Sequence, residues 1–165
     1  MRRLFFLTPF ILCILLNSCC EHKDSENCHY SIALSNNSDK ILYAKYDSTG
    51  YPDSTNHFHG PSPLNRKECE IGAYEQNNKD ALCVSRPTSS GCFELAFKSR
   101  IKTVMIFIYD SDSLKTISFI NSNYDRLVLQ RYDITLEDLQ KLDWKITYPP
   151  DERMKNVKMY PPYVE

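Results

Sequence analysis

The segment that most constrains the fold is an unbroken apolar run from Val104 to Tyr109. Alternating apolar and polar residues are typical of a strand with one face in water, whereas a short continuous run indicates a strand covered on both faces. We therefore predict a central strand over residues 103–109. The strand is expected to end near Asp110 and Asp112, because Asp-Ser-Asp-Ser is a turn-forming sequence.

Weaker patterns predict the elements around this strand. Residues 29–34 and 41–46 flank a turn-forming segment and predict a hairpin. Thr135 and Asp138 match a relaxed capping box and predict the start of a short helix. Further strands are predicted over 67–71, 127–132 and 144–148, and a helical turn over 93–97. The prediction is a single small α+β domain, rich in β-structure, with a mainly antiparallel sheet or sandwich and two or three short helices.

The first residues have the pattern of a secretory signal. Arg2 and Arg3 are followed by a largely apolar run over residues 4–16. A membrane-spanning helix needs about 20 apolar residues, so this run is too short to span a bilayer. A basic start followed by a short apolar stretch predicts a signal peptide over residues 1–18, which is removed from the mature chain.

The end of this signal resembles the lipobox of bacterial lipoproteins. Leu16, Ser18 and Cys19 occupy the matching positions. The resemblance implies cleavage before Cys19, a diacylglycerol on its thiol and an acyl chain on its new amino group. Three acyl chains exceed the two signals that stable anchoring needs, so we expect the mature chain to be held at a membrane. The alternatives are a box shifted to Cys20, which would put Asn17 at a usually branched apolar position, and an ordinary signal peptide.

Residues 19–27, which begin at the lipidated cysteine, are polar and predict a flexible tether. Glu21 and Asp24 in this tether resemble the acidic surface-export signal of Bacteroidetes lipoproteins. The resemblance implies a location in the cell envelope, on the outer membrane, with the domain either facing the periplasm or exposed on the surface.

The mature chain has the size of one domain. Residues 28–150 are expected to be globular, and the polar, proline-containing residues 151–165 to form a loose tail. The whole chain has a formal net charge of −1, and loss of Arg2 and Arg3 with the signal leaves −3 on the mature part. That balance gives no electrostatic reason to expect a nucleic-acid partner.

The seven cysteines divide by position. Cys13 leaves with the signal, Cys19 takes the lipid, and Cys20 lies in the tether as the odd one. Four remain for two disulfides in an oxidising envelope, namely Cys28, Cys69, Cys83 and Cys92. Three connectivities are open. A bond between Cys69 and Cys92 is preferred, because it would staple the least regular part of the chain.

Two pairs of residues have metal-ligand spacing. His57 and His59 would lie on one side of an extended segment, where they could share a metal with a third ligand such as His29. Asp110 and Asp112 could offer oxygen ligands to a hard cation such as calcium, although the twelve-residue loop pattern of calcium sites is missing. We favour surface histidines in the first case and a strand-ending turn in the second, and we expect no metal or other cofactor.

Motifs of common enzyme classes are missing from the sequence. It has no Gly-x-Ser-x-Gly, no Walker loop and no His-Glu-x-x-His. The favoured hypothesis is a non-catalytic binding or structural module that recognises an envelope protein or glycan. The alternatives are a hydrolase of envelope or other polymers, and an inhibitor or immunity-type protein.

The segment over residues 131–150 resembles the closing segment of small uncharacterised Bacteroidetes lipoproteins. In that group a strand similar to residues 103–109 precedes it and ends in Asp-x-Asp, here Asp110 and Asp112. The resemblance covers about residues 92–150 together with the lipobox. It implies an envelope lipoprotein and brings no catalytic residues with it.

Overall fold

The computed structural model describes residues 24–48, 51, 70–73, 76–77, 91–116 and 127–164. These residues form eight strands, three α-helices and one 3₁₀ helix. The strands are β1 (Ala33–Asn36), β2 (Leu42–Asp47), β3 (Glu70–Ile71), β4 (Gln76–Asn77), β5 (Val104–Asp110), β6 (Val128–Ile134), β7 (Lys145–Tyr148) and β8 (Lys158–Tyr160). The helices are α1 (Phe93–Ser99), α2 (Ser111–Thr116), α3 (Leu136–Lys141) and the 3₁₀ helix Glu152–Met154.

The apolar run forms β5, the middle strand of a five-stranded sheet. The order is β3-β2-β5-β6-β8, and every pairing in it is antiparallel. All residues from Val104 to Tyr109 are buried, which confirms the predicted central strand. Ile106 faces the larger of two buried clusters and Phe107 faces the smaller. Side chains alternate between the faces of a strand, so a strand covered on both faces needs apolar residues at consecutive positions.

The predicted hairpin of β1 and β2 does not form. β1 lies in a three-stranded sheet with the order β4-β1-β7, whereas β2 pairs with β3 and β5. At the end of β1, the buried Asn36 donates from Nδ2 to the carbonyl oxygens of Lys40 at 2.7 Å and Gly72 at 2.8 Å. Its Oδ1 accepts from the Ser38 N–H at 3.0 Å. These bonds tie the turn to the segment after β3, so β2 continues into the other sheet.

The two sheets share one apolar core. β1 pairs parallel with β7 and antiparallel with β4, and the Tyr132 hydroxyl of β6 donates to the Thr147 carbonyl oxygen of β7 at 2.7 Å. Full burial of each large apolar side chain contributes roughly 1.5–3 kcal/mol. The core includes Leu34, Leu42, Phe93, Ile106, Leu139 and Ile146. The predicted α+β, β-rich domain with mainly antiparallel pairing is confirmed.

α3 begins with the predicted capping box. The Thr135 hydroxyl accepts from the Asp138 N–H at 3.2 Å, and Asp138 Oδ2 accepts from the Thr135 N–H at 2.9 Å. These two bonds satisfy N–H groups that the start of a helix leaves without partners.

Residues 151–164 do not form the predicted loose tail. The 3₁₀ helix and β8 follow one another here, and β8 pairs with β6 at the edge of the larger sheet. Met154, Val157 and Met159 are buried in the main core. The prediction was wrong because three separated apolar side chains are enough to hold a polar segment when each of them reaches the core.

Among the residues that the structure describes, Asp24 already contacts the domain, before the predicted boundary at Cys28. Asp24 Oδ1 accepts from the Tyr30 N–H at 2.6 Å, and its Oδ2 accepts from the Ser31 hydroxyl at 2.8 Å. Ser25 and Cys28 also exchange two backbone hydrogen bonds, of 3.0 and 3.1 Å. Residues 24–27 are therefore held against the domain, and the prediction of a flexible tether was wrong for this part of residues 19–27.

Several predicted features lie outside the described residues. They are the signal peptide over 1–18, Cys19, Cys20, His57, His59, Cys69 and Cys83. Among the helices that are described, none has the length and apolar character needed to cross a membrane.

Candidate functional site

An open cleft lies where β5 ends, between that strand and the loop that joins β1 to β2. Its volume is about 510 Å³, within the range of about 300–1,000 Å³ typical of ligand pockets. The β1–β2 loop forms one wall, and the start of α2 forms the other. The lining residues are Asp39, Lys40, Ile41, Asp110, Asp112, Ser113 and Thr116.

The Asp110 carboxylate joins the two walls of the cleft. Its Oδ2 accepts a hydrogen bond from Lys40 Nζ at 3.0 Å. Its Oδ1 accepts from the backbone N–H groups of Asp112 at 3.0 Å and Ser113 at 3.1 Å. Those two groups belong to the first turn of α2, where N–H groups lack partners within the helix. Asp110 therefore ends β5, caps α2 and holds the Lys40 ammonium of the opposite wall in place.

Both members of this ion pair are held in their charged forms. The hydrogen bond from Lys40 lowers the pKa of Asp110; burial opposes this change, and the N–H groups of Ser113 and Asp112 support it. The same hydrogen bond to Asp110 raises the pKa of Lys40. At neutral pH the cleft therefore presents a fixed cation beside a fixed anion.

Tyr148, the last residue of β7, also responds to these charges. Burial raises the pKa of its hydroxyl; the charge of Lys40 lowers that pKa, and the charge of Asp110 raises it further. General acid–base catalysis works best when the pKa of the group lies near the operating pH. The pKa of each of the three groups moves away from neutrality. These groups therefore keep fixed charge states near neutral pH, which suits the binding of polar groups.

The first turn of α2 is fixed by further contacts. The Ser111 hydroxyl donates to the Glu70 carboxylate of β3, and the Ser111 N–H donates to the Ile41 carbonyl oxygen at 2.9 Å. Lys115 Nζ lies 3.0 Å from Glu70 Oε1. Because these contacts join both walls to the larger sheet, the cleft exists before any ligand arrives.

Replacement of Asp110 separates its two structural roles. Asp110→Ala should lower the free energy of unfolding by about 1 kcal/mol, because the helix cap is lost. Asp110→Asn can still cap the helix but cannot carry the charge. The pKa of Asp110 is lowered on folding from its ordinary value of 3.8. Its charge therefore stabilises the fold above that value, and the contribution disappears as pH falls through the folded pKa.

Urea unfolding near neutral pH and in acid would measure both effects. Wild type should lose more stability on acidification than Asp110→Asn. Equal losses in the two proteins would contradict a folded Asp110 whose pKa lies below the ordinary value.

A second polar cluster surrounds a disulfide between Cys28 and Cys92. The preferred pairing of Cys69 with Cys92 was therefore wrong. The Phe93 N–H donates to the His29 carbonyl oxygen at 2.8 Å, so the start of α1 lies beside the chain that leads into β1. The Cα atoms of Cys28 and Cys92 are 5.2 Å apart, a separation that suits a disulfide.

His29 is held from several directions in this cluster. Its Nδ1 lies 2.5 Å from Glu94 Oε1, and its backbone N–H donates to Glu94 Oε2 at 2.8 Å. Its ring stacks on Trp144, with centroids 4.1 Å apart and planes inclined by 13°. Asp143 and Trp144 have positive φ angles of 52° and 58°. Such angles are uncommon for residues other than glycine and are strained for a bulky side chain.

The two clusters lie at opposite ends of the β1–β7 pair. Trp144 directly precedes β7, whereas Tyr148 ends it. His29 likewise lies before β1, and Asn36 ends that strand. A carboxylate that orients a histidine is one part of the arrangement by which enzymes activate a nucleophile or water. The disulfide cluster therefore holds groups that suit acid–base chemistry, and this capability is separate from that of the cleft.

The sequence-predicted metal candidates do not form a metal centre in the described part of the chain. Asp110 is engaged by Lys40 and the α2 cap, and the exposed Asp112 lies 3.4 Å from Lys115 Nζ. Within residues 24–48, 51, 70–73, 76–77, 91–116 and 127–164, no group of three His, Cys, Asp or Glu side chains could hold a metal ion.

Three residues of the two clusters were not expected from the sequence as site residues. Lys40 and Tyr148 come from segments distant in sequence from Asp110, and Glu94 lies 65 residues from His29. The one local signal was the position of His29 next to a cysteine. Comparison of the chain with protein-family models, curated proteins and solved structures finds no match.

Proposed function

We propose that this chain is a cell-envelope lipoprotein, anchored through Cys19, whose domain is a non-catalytic binding module with its ligand site in the cleft. The observation that carries the proposal is the charged pair of Lys40 and Asp110 at the cleft. The pKa of each group is shifted further from neutral pH, so both keep their charges beside an open volume, where a polar ligand can contact them.

The sequence before the domain supports the anchor. The basic start, the short apolar run and the lipobox-like residues Leu16 to Cys19 precede a folded domain that already includes Asp24. Three acyl chains on Cys19 would hold the domain stably at a bilayer. The disulfide between Cys28 and Cys92 suits an oxidising compartment such as the envelope.

The lining of the cleft favours a glycan over a protein partner. Carboxylates at Asp39, Asp110 and Asp112 can accept hydrogen bonds from sugar hydroxyl groups. The Lys40 ammonium can donate to sugar oxygens, and the 40% exposed Ile41 offers an apolar contact for a ring face. A few placed polar groups around a partly apolar pocket are typical of sites that bind small polar ligands.

Cys19→Ala should release the protein from membranes and stop its labelling with radioactive fatty acid. The matched control is Cys20→Ala, which removes the neighbouring thiol and should leave both properties unchanged. The measurement is fractionation of membranes together with lipid labelling. Continued labelling of Cys19→Ala would contradict the anchor, and loss of labelling only in Cys20→Ala would move the lipobox by one residue.

Binding to the cleft should depend on Lys40. In calorimetric titrations of the mature protein with neutral and amino-sugar oligosaccharides, Lys40→Gln should weaken binding by roughly 10-fold or more, because hydrogen bonds to a charged group contribute about 1.5–3 kcal/mol. Lys155→Gln is the matched control, since Lys155 is also an exposed lysine in an ion pair but lies after the 3₁₀ helix. Equal losses in both variants would contradict a ligand site in the cleft.

A hydrolase is the second candidate function, and the pairing of His29 with Glu94 is the observation that favours it. A hydrolase would cleave an added oligosaccharide, whereas a non-catalytic binding module would leave it intact. Cleavage that is lost in His29→Gln and retained in Lys40→Gln would favour the hydrolase and would overturn the non-catalytic module.

A further inference from the structure

The chain enters the domain close to α1. Asp24 accepts a hydrogen bond from the Tyr30 N–H, and Cys28 is covalently bonded to Cys92, the residue before the first residue of α1. Only five Cα-to-Cα steps separate Cys19 from Asp24, which limits the span between them to about 18 Å even when the chain is fully extended. A lipid on Cys19 would therefore keep the entry point, and α1 beside it, close to the bilayer surface.

The outer side of α1 and the segment after it carry a basic face, which we define as Leu95, Lys98, Arg100 and Lys102. All four side chains are exposed, and Leu95 is 51% exposed. Ile101, between the last two cations, is buried, so Arg100 and Lys102 lie on the outer side of the chain. α1 has seven residues and is about 10 Å long, so Leu95 and Lys98 lie within one helix length of the disulfide, and Arg100 and Lys102 follow directly after the helix.

The charge of the basic face is not neutralised by other described residues. Lys98, Arg100 and Lys102 form no ion pair within the described ranges, and no acidic residue occurs between Glu94 and Asp110. Lysines elsewhere on the described surface are paired, as Lys141 is with Glu137 at 2.7 Å and Lys155 with Glu152 at 3.6 Å.

We propose that this basic face rests on the anionic headgroups of the membrane that holds the anchor, with Leu95 at the headgroup boundary. The inference rests on the proposed anchor at Cys19. A net charge of −3 on the mature chain gives no overall attraction to an anionic bilayer, so the orientation must come from this local set of cations. The combination of an exposed apolar side chain with flanking lysine and arginine is what interfacial helices use at lipid surfaces.

The consequence of this contact is a defined orientation of the domain. Each lysine or arginine near an anionic surface favours the bound orientation by roughly fivefold. Three such cations would select one face of a domain that a short tether already holds near the bilayer. Trp144, the single tryptophan, lies beside α1, with its ring centroid 5.8 Å from that of Phe93. It is therefore a native reporter of the distance from this side of the domain to the membrane.

The test uses the full lipidated mature protein, reconstituted into phosphatidylcholine vesicles with or without phosphatidylglycerol. Energy transfer from Trp144 to a dansyl group on the lipid headgroups should be higher in the anionic vesicles. High salt should abolish the increase, because the Debye length falls from about 10 Å at 0.1 M to about 3 Å at 1 M. The triple variant K98Q/R100Q/K102Q should show the same transfer in both kinds of vesicle.

The matched control is K141Q/R153Q/K155Q, which removes the same two lysines and one arginine from exposed, ion-paired positions. It should retain the increase seen in wild type. Equal transfer from anchored wild type in both vesicles, or an increase that the control also loses, would overturn the basic-face proposal alone. Wild-type protein that washes off phosphatidylcholine vesicles would lack the anchor and would overturn the proposed function as well.

Discussion

Cys92→Ala is expected to lower the free energy of unfolding by about 4 kcal/mol. The disulfide to Cys28 closes a loop with a sequence separation of 64 residues, and the chain-entropy relation gives about 4 kcal/mol at 25 °C for a loop of that length. A whole domain of this size is stable by only about 5–15 kcal/mol. The variant should therefore lose a large share of the stability of the domain.

Urea unfolding of the mature protein, followed by circular dichroism, measures this effect. Cys20→Ala is the matched control, because it removes a thiol that precedes the loop closed by the disulfide. Cys20→Ala should leave the urea concentration at the midpoint of unfolding unchanged. A loss below about 1 kcal/mol in Cys92→Ala would mean that the bond to Cys28 does not form in solution, since native disulfides of small exported domains typically contribute 2–5 kcal/mol.

Met154→Ala should lower the free energy of unfolding by about 3 kcal/mol, within the range of 2–5 kcal/mol for methionine-to-alanine changes in cores. Met154 is fully buried in the 3₁₀ helix, and its Sδ accepts from the Thr147 N–H of β7 at 3.3 Å. The change would open a cavity and also leave an N–H group of the smaller sheet without its partner.

The same unfolding measurement, made on Val164→Ala, provides the control for the tail. Val164 is 82% exposed, so its truncation should change stability by less than about 0.5 kcal/mol. If Met154→Ala were as stable as Val164→Ala, residues 151–164 would be the loose tail that their composition predicts, and β8 would contribute nothing to the sheet.

The centre of the fold was predictable because its signals are local. A short run such as Val104 to Tyr109 is typical of a strand covered on both faces, and it is the middle strand. Thr135 and Asp138 form the capping box that their spacing indicates. In each case the residues that determine the element are neighbours in the sequence, so a pattern read over a few positions contains the physical cause.

The pairing of the strands was not predictable in the same way. The alternation in residues 29–34 and 41–46 indicated two strands joined by a turn, and the nearest partner was assumed. The structure instead ties Asn36 to the carbonyl group of Gly72, and β1 to strands far along the chain. Such choices depend on which distant segments bury the same face, and a single sequence does not display that information.

The clusters of polar side chains were only partly predictable. Asp110 was identified from its turn-forming neighbours, and the structure places it at the cleft. Lys40 and Tyr148 meet it only because the β1–β2 loop and the end of β7 converge there. Similarly, Cys92 was identified as a disulfide candidate, but its partner depended on the approach of α1 to the chain before β1. The candidate residues could be identified from the sequence, whereas the contacts between them depend on the fold.

The parallel pairing of β1 with β7 sets the order in which this domain can be completed. Ala33 pairs with Lys145, a residue 112 positions later, so the first strand cannot find this partner until the chain has been synthesised beyond residue 145. Non-local pairings of this kind form slowly, because a long loop must close before its contacts stabilise it. During synthesis or translocation, β1 therefore remains without its β7 partner until late. A chain that crosses a membrane in extended form would benefit from that delay, since premature folding would stop its passage.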